Sequence, residues 1–577
     1  MVSSRTEPIW LGLNTNAWTV VGMTRRIALL QLDPTVGDID GNRTRIEALS
    51  RIADKSGADV AVATELAISG YPPRDLLLSE GFPERCLAAC AGVDTALPLL
   101  VGAPLPPRGV REKPGNGILR VLPEGDVREL TRKQLLPTYE VFDEARYFTP
   151  DSRPGIARDI GGLALGLTVC EDAWQHSGDT PSDYDSDPIL QLSAWQDQGE
   201  HLDATVNLSA SPFHLAKPDQ RTNVVKAAAA TLGHPFLLAN QVGGNDDLIF
   251  DGRSLAAWPD GTIIEAPAWQ EGVLVVDLDH PSRSFWIAWE EGVDFAHSSF
   301  EIFNAVCAGL GDYCRKSSLS KVVLGLSGGI DSAVTAAVAA YALGPENVIG
   351  VSMPSRHSSD HSITDAEELA SALGIEYQSR PIEDLHKVAE QTLEDELQSG
   401  HPVAAENLQA RLRGMIVMGI ANARGAMALA TGNKSELAQG YCTLYGDMVG
   451  GYAPLGDLYK TEVYQLAEVI NEEAGQIIIP KNTIDKPPSA ELAPDQIDED
   501  TLPPYPLLDE ILRGHIEDGQ SASEIVAKGI DEVLVDEVLS RLVRNEHKRW
   551  QMPPAPRVSS RAFGQGWRLP LAARRTE

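Results

Sequence analysis

A serine framed by glycines and a cysteine flanked by acids are the residues of this 577-residue chain best placed to do chemistry. In "VVLGLSGGIDSAVTAAVAA", from Val322 to Ala340, the letters Gly325-Leu326-Ser327-Gly328-Gly329 fit the G-x-S-x-G nucleophile elbow of hydrolases. The same glycines could instead free consecutive backbone N–H groups to wrap a phosphate at a helix N-terminus. A serine hydrolase also needs a later acid and histidine. His357, His361, His386, His401, His515 and His547 are all available, so inventory alone does not decide. The weight falls on "GIDS": Asp331 and Ser332 enter the helix, and an aspartate there suits Mg²⁺, a hard cation that takes carboxylate and phosphate oxygens. No G-K-[ST] follows, which excludes a Walker A loop.

In the first half, "LALGLTVCEDAW" puts Cys170 at the tip of an apolar strand beside Glu171 and Asp172. "VATELAISGYPPRDLL" puts Glu65 at the end of another strand, and "LTRKQLLPTYEVFDEARYF" puts Lys133 just before a tight loop. Taken singly, each has a plain account: a small buried hydrophobe, a capping carboxylate, a surface charge.

The elements that must position these residues follow from periodicity. Short apolar runs ("RIALLQL", "ADVAVATEL", "PLLVGAPL", "LDATVNLSA", "HPFLLANQV", "GVLVVDLD") alternate with helical segments such as "GNRTRIEALSRIADKSGA", an α/β pattern with "DGTIIEAP" as the turn of a late hairpin. "HSGDTPSDYDSDP" (176–188) reads as an acidic surface loop. Periodicity fades over 281–299, the expected linker between a domain at 23–280 and one at 300–577, with a helix beginning near Ser299 or Phe300. The second domain starts afresh as strand, turn, helix, strand, a helix capped by Thr364, and strand. That βαβαβ order implies a parallel sheet with ligands at the carboxyl ends of its strands, where Ser327 sits.

Composition bounds the setting. With 48 Lys+Arg against 82 Asp+Glu the net charge is −34, which argues against a general nucleic-acid or anionic-membrane binder, because phosphates would be repelled over most of the surface. A phosphate-bearing ligand must be held by local glycines, cations or a metal. The six cysteines form no CxxC or zinc spacing, and a reducing cytoplasm is the expected location. No apolar run reaches the roughly 18 residues of a spanning helix. Residues 1–22 lack a signal peptide's basic start and precede a second methionine, Met23, so they read as an extension without catalytic role.

The segments around Glu65, Lys133 and Cys170 resemble the nitrilase, or carbon–nitrogen hydrolase, family from about Arg26 to Asp279, including "NLSASPFHLAK". The resemblance implies an αββα sandwich with a Glu–Lys–Cys triad at three strand ends. A thiolate of Cys170 attacks an amide carbonyl, Glu65 moves the proton, and the Lys133 ammonium stabilises the oxyanion. Glu144, in "VFDEARYF", matches a second glutamate that supports the lysine. In the glutaminase branch, Tyr139, Ser211 and Lys217 would line the glutamine pocket.

"SGGIDS" after a strand resembles the N-type ATP pyrophosphatases, with a Rossmann-like parallel sheet. "ARLRGMIVMGIANARGAMALATGNKSELAQGYCTLYGD", "PLGDLYKTEVYQLA" and "NEHKRWQMPPAPRVSSRAFGQGWRLP" look like NAD synthetase, from about Phe300 to Pro570. By that resemblance Ser327, Gly328, Gly329, Ile330, Asp331 and Ser332 grip pyrophosphate. Thr431, Lys460 and Ser489 would meet ATP, and Asp331 and Glu436 would bind Mg²⁺. Arg411, His547 and Lys548 would face deamido-NAD, with Ser489 on a mobile loop that closes over ATP. Where ammonia-using relatives carry a lysine in "FTKYGD", this chain has Leu444 in "CTLYGD", so no contact is assigned there.

The whole chain resembles the glutamine-dependent NAD synthetase family, which implies homo-oligomers built through the synthetase domain. Free ammonia is mostly protonated and non-nucleophilic at neutral pH, so a shielded passage from Cys170 to the adenylate is expected. Two other readings stay open: an amidase whose second half is an ATP-binding regulator, and an amidotransferase acting on another adenylated acceptor such as a purine nucleotide.

Overall fold

A computed structural model describes residues 25–178, 180–181, 183–287, 300–398, 402–489, 492 and 497–572. The expected extension at 1–22 and positions 288–299 of the expected linker lie outside the described residues. The chain divides into two compact units. The first runs through residue 287 except for two short stretches, 213–215 and 246–249, which cluster with the second.

The first unit is a sandwich of two sheets. One has the strand order Ser282–Ile287, Gly272–Asp277, Arg26–Gln31, Val60–Val62, Leu99–Leu105, Gly115–Val121, Val127–Arg132. The other runs Ile263–Glu265, Leu255–Ala257, Phe236–Asn240, Ala204–Ser209, Leu163–Val169, Gly155–Ile160. The inner faces meet through Ile27, Leu29, Val62 and Ile118 on one side and Leu165, Leu167, Val206 and Leu237 on the other. Both faces of each sheet are covered, so the central strands read as continuous apolar runs. Helix Ile39–Lys55 covers the first sheet, entered through Asp38, whose carboxylate accepts the Gly41 N–H at 3.0 Å. Helices Pro188–Gln196 and Lys217–Leu232 cover the second with Ile189, Leu192, Val224 and Ala228. The layers are therefore αββα, as expected. Ser282–Ile287, inside the span read as linker, pairs antiparallel with Gly272–Asp277 as an added edge strand. Its two faces are nearly equally exposed, and this is why the sequence shows no strong alternation there.

The second unit holds a four-stranded parallel sheet in the order Glu376–Ser379, Val348–Ser352, Val322–Gly325, Met427–Ala428. Strand Val322–Gly325 has a later strand on each side, so its carboxyl end is the topological switch point, where α/β sheets open a crevice for ligands. The helix that follows, Ile330–Leu343, is apolar nearly all round because it is covered nearly all round, with helices Glu301–Lys316 and Lys460–Ala474 packed on it. The helix expected to be capped by Thr364 starts earlier, at Asp360. Ser359 is extended and accepts the Ser362 N–H at 3.2 Å, while Thr364 is the fifth residue of the helix and donates back to the Asp360 carbonyl. Among the described residues no helix is long and apolar enough to cross a membrane.

Candidate active sites

The first site forms where strand ends of the sandwich converge. Cys170 stands one residue past strand Leu163–Val169 with φ +41°, a left-handed conformation that costs a non-glycine residue energy and is kept only where neighbours enforce it. Asp172 enforces it: its carboxylate accepts N–H groups from Val169 at 3.0 Å, Gln134 at 3.0 Å and Leu135 at 2.9 Å, tying the cysteine turn to the lysine loop. Asn207, on the neighbouring strand, donates to the Cys170 carbonyl at 3.2 Å.

Glu65 and Lys133 are wholly buried and joined, Nζ to Oε1, at 2.8 Å; Lys133 also donates to Glu144 at 2.8 Å. Asn116 donates to the same Glu65 oxygen at 2.7 Å, and the Ala210 N–H donates to the other at 3.1 Å. Tyr71 donates to Glu144 at 2.9 Å. Burial works against the charge of Lys133, but Glu144 and Glu65 overcome it and hold the ammonium well above its ordinary range. Burial pushes the Cys170 thiol up, with Glu65 adding and Lys133 opposing, so the resting sulfur keeps its proton. Such a site releases that proton to a base as the nucleophile attacks, rather than storing a thiolate.

Beside the thiol, Glu171 accepts the hydroxyls of Tyr139 at 2.9 Å and Tyr184 at 3.0 Å. Tyr184 belongs to the acidic 176–188 stretch, which is therefore more than a surface loop. Lys217 sits 3.6 Å over the Trp174 ring. Ser211 donates its N–H to Asn240, while its buried hydroxyl has no partner among the described residues. Reasoning from sequence passed over Asn116, Asn207, Tyr71 and Tyr184; the one available signal was Glu171 adjoining the cysteine.

The second site is a cavity of about 680 Å³ within the second unit, at the switch point. Ser327, Gly329, Ile330, Asp331 and Ser332 line it, as do Thr431, Glu436, Lys460, Ser489 and Lys548; Gly328, Arg411 and His547 do not. Gly328 turns the loop with φ +78°, and a Cβ there would lie 2.7 Å from the Ser362 Cα. Ser327 uses its hydroxyl within the loop, accepting the Gly329 N–H at 3.2 Å and bonding Ser332 at 3.2 Å. Neither this bonding nor its backbone is that of a nucleophile elbow. Arg411 is exposed and donates to the Leu444 carbonyl; His547 is exposed, with Nδ1 3.1 Å from the Arg544 carbonyl. Lys548 directs its ammonium to the carbonyls of Gly440 and Cys442. The segment expected to close over ATP lies partly outside the described residues, at 490–491 and 493–496.

Three helix N-termini, at Ile330, Lys434 and Lys460, bring Asp331, Glu436 and Lys460 together. Lys460 donates to Asp331 at 2.5 Å and to Glu436 at 3.1 Å, and Asn433 donates to Asp331 at 2.8 Å. Burial opposes the charge of Lys460, but the two carboxylates hold it protonated; burial, then Asp331, push Glu436 up to about 8. Two carboxyl groups and one ammonium face a space lined by glycine backbone. This oxygen-donor set fits a hard cation that takes its remaining ligands from phosphate. Among the described residues no three His, Cys, Asp or Glu side chains converge as a metal cage.

A Cys–Glu–Lys centre on an αββα sandwich and a phosphate loop at the switch point of a parallel sheet define a carbon–nitrogen ligase with its own amide hydrolase. The carbon-nitrogen hydrolase family matches residues 26–288, and the NAD synthase family residues 302–553. The chain is 42% identical over 559 residues to the glutamine-dependent NAD(+) synthetase of Synechocystis sp., covering 95% of this chain and 98% of the relative. It is 39% identical over 591 residues to that of Thermotoga maritima, with the same coverage. Among solved structures, the glutamine-dependent NAD+ synthetase from Acinetobacter baumannii in complex with adenosine diphosphate aligns with a TM-score of 0.71 at 34% identity, covering 95% of this chain and 98% of that one. The chain belongs to the glutamine-dependent NAD(+) synthetase family, and its activity is glutamine-hydrolysing, ATP-using NAD synthesis.

Proposed function

We infer that Cys170, Glu65 and Lys133 carry the glutaminase step. The Cys170 sulfur attacks the side-chain amide carbon of glutamine while Glu65 takes the thiol proton. Two of the three Lys133 N–H donors are spent on Glu65 and Glu144, which leaves one for the oxyanion. The tetrahedral species expels ammonia with the proton held by Glu65, and a thioester remains. Water then adds to that carbonyl, giving its proton to Glu65, and the sulfur departs and regains a proton as glutamate forms. Glu171, between Tyr139 and Tyr184, suits the α-ammonium of glutamine, and Ser211 with Lys217 suits its α-carboxylate.

In the second unit, the Ser327–Ser332 loop holds the β- and γ-phosphates of ATP while the nicotinate carboxylate of deamido-NAD attacks the α-phosphorus. Pyrophosphate leaves, and ammonia then displaces AMP from the acyl adenylate to form the carboxamide. Asp331 and Glu436 would hold Mg²⁺, which neutralises phosphate charge when bound. Thr431, Lys460 and Ser489 belong to the ATP side, and Lys548, Arg411 and His547 to the dinucleotide side. The glutaminase domain runs from 23 through the edge strand Ser282–Ile287 and the synthetase domain is 300–577; the protein is cytoplasmic, and it is a homo-oligomer. Association is supported by the exposed apolar side chains Met415 (55%) and Met418 (37%), one turn and two turns on from Arg411.

The observation that carries this reading is the Lys460 bridge between Asp331 and Glu436 at the mouth of the glycine loop. It is tested by assaying NAD formation from deamido-NAD, ATP and Mg²⁺ with either glutamine or ammonia. Cys170→Ala should abolish glutamine use and spare ammonia use, whereas Asp331→Ala should lower both by about 10²–10³-fold. Full ammonia-dependent activity in Asp331→Ala would overturn the assignment. Sedimentation of Met415→Glu reads the oligomer, which should dissociate.

A further inference from the structure

Lys460 is the first residue of its helix, so its ammonium can be no better placed than that helix's first turn. Helix Tyr505–Ile516, of which the sequence drew notice only to His515, packs against this turn. Asp509, 3% exposed, accepts the Thr461 N–H at 3.0 Å through one carboxylate oxygen and the Ser435 hydroxyl at 2.5 Å through the other. The Ser435 oxygen in turn accepts the Lys460 N–H at 2.9 Å. One carboxylate thus satisfies two otherwise orphan N–H groups of the Lys460 helix, one directly and one through Ser435, at the positive end of the helix dipole. Ser435 also stands next to Glu436, the other partner of the Lys460 ammonium. One turn further along, Arg513 donates to Glu462 at 2.8 Å, and Glu462 accepts the Tyr459 N–H, closing the same turn.

We propose that Asp509 is a positioning residue of the adenylation site: through Thr461 and the Ser435 hydroxyl it locks together the helix starts that carry Glu436 and Lys460. The inference rests on the reading that Lys460 engages ATP. An asparagine at 509 offers one acceptor oxygen where two are needed, so the turn loses one of its two ties and the ammonium its register.

The test uses the full chain with ammonia as nitrogen donor. Asp509→Asn should lower kcat for NAD formation by about tenfold to a hundredfold, since a misplacement of about 1 Å is enough for that, and leave glutamine hydrolysis and the KM for deamido-NAD within twofold. Ser435→Ala should show a smaller loss, and the double variant should be no worse than Asp509→Asn, because both act on one hydrogen-bonded chain. Leu512→Ala, in the same helix but facing the apolar core, supplies a variant destabilised without touching that chain. It should keep kcat at a temperature where all variants are folded. Wild-type kcat in Asp509→Asn, additive losses in the double variant, or an equal loss in Leu512→Ala would each overturn the proposal. If Asp509→Asn does not fold, Ser435→Ala against Leu512→Ala decides. Full synthesis by Lys460→Met would instead sink the ATP reading itself; loss in Lys460→Met with none in Asp509→Asn sinks only the role of Asp509.

Discussion

Lys133 and Glu65 meet at 2.8 Å with both side chains wholly removed from solvent, and Glu144 sits at the same distance on the other side of the ammonium. Lys133→Met would leave two carboxylates buried together without their cation, and breaking a buried pair in this way costs about 3–5 kcal/mol. Denaturant unfolding should register that loss, alongside absent glutaminase activity. A change below about 1 kcal/mol would mean the carboxylates are not both ionised in the fold.

Gly102 is packed against the backbone that carries Glu65. A Cβ at this position would lie 2.5 Å from the Leu66 nitrogen and 2.8 Å from the Glu65 Cα. Gly102→Ala should therefore displace the catalytic carboxylate and reduce glutamine-dependent synthesis by about 10²-fold, the scale of a 1 Å misplacement, with ammonia-dependent synthesis retained. Steady-state assays with the two donors check this, and equal rates with glutamine and ammonia would contradict it.

Burial pushes the Glu144 carboxyl from 4.5 up to about 7, against the pull of Lys133. A carboxyl whose folded pKa is raised favours the fold while protonated. The contribution is fully present below about 4.5 and is lost as pH rises through about 7. Relative to Glu144→Gln, which cannot titrate, the wild type should lose stability as pH rises between these limits and change little above them. Unfolding free energies of both proteins across pH 4.5–8 measure the difference, and a flat difference would refute the shift.

The glycine loop depends on Gly328, whose φ of +78° and closeness to Ser362 leave no room for a side chain. Gly328→Ala should cost about 1–3 kcal/mol of stability and depress synthesis with both nitrogen donors. Isothermal titration with ATP should show weakened binding, and unchanged ATP affinity would separate the loop from the nucleotide.

Much of this was legible in the residues. Apolar runs alternating with amphipathic stretches announce α/β units, because buried strands and surface helices impose different periods on the same chain. Glycines and an aspartate between a buried strand and an alanine-rich helix mark a phosphate loop, because only that local geometry needs them together. A cysteine at a strand end beside two acids marks a candidate nucleophile for the same local reason.

Tertiary structure decided what those letters left open. G-x-S-x-G fits a strained elbow by its letters, but the positive φ falls on Cys170, where Asp172 and Asn207 hold it, and not on Ser327, whose hydroxyl closes its own loop. The acidic stretch around Tyr184 looked like solvent-facing chain until its phenol met Glu171. Asp509 lies 74 residues from Ser435, and no periodicity links them. Local spacing records what neighbouring residues demand of the backbone. Hydrogen bonds between distant segments exist only once the hydrophobic layers have packed, and those bonds aim the thiol and the ammonium.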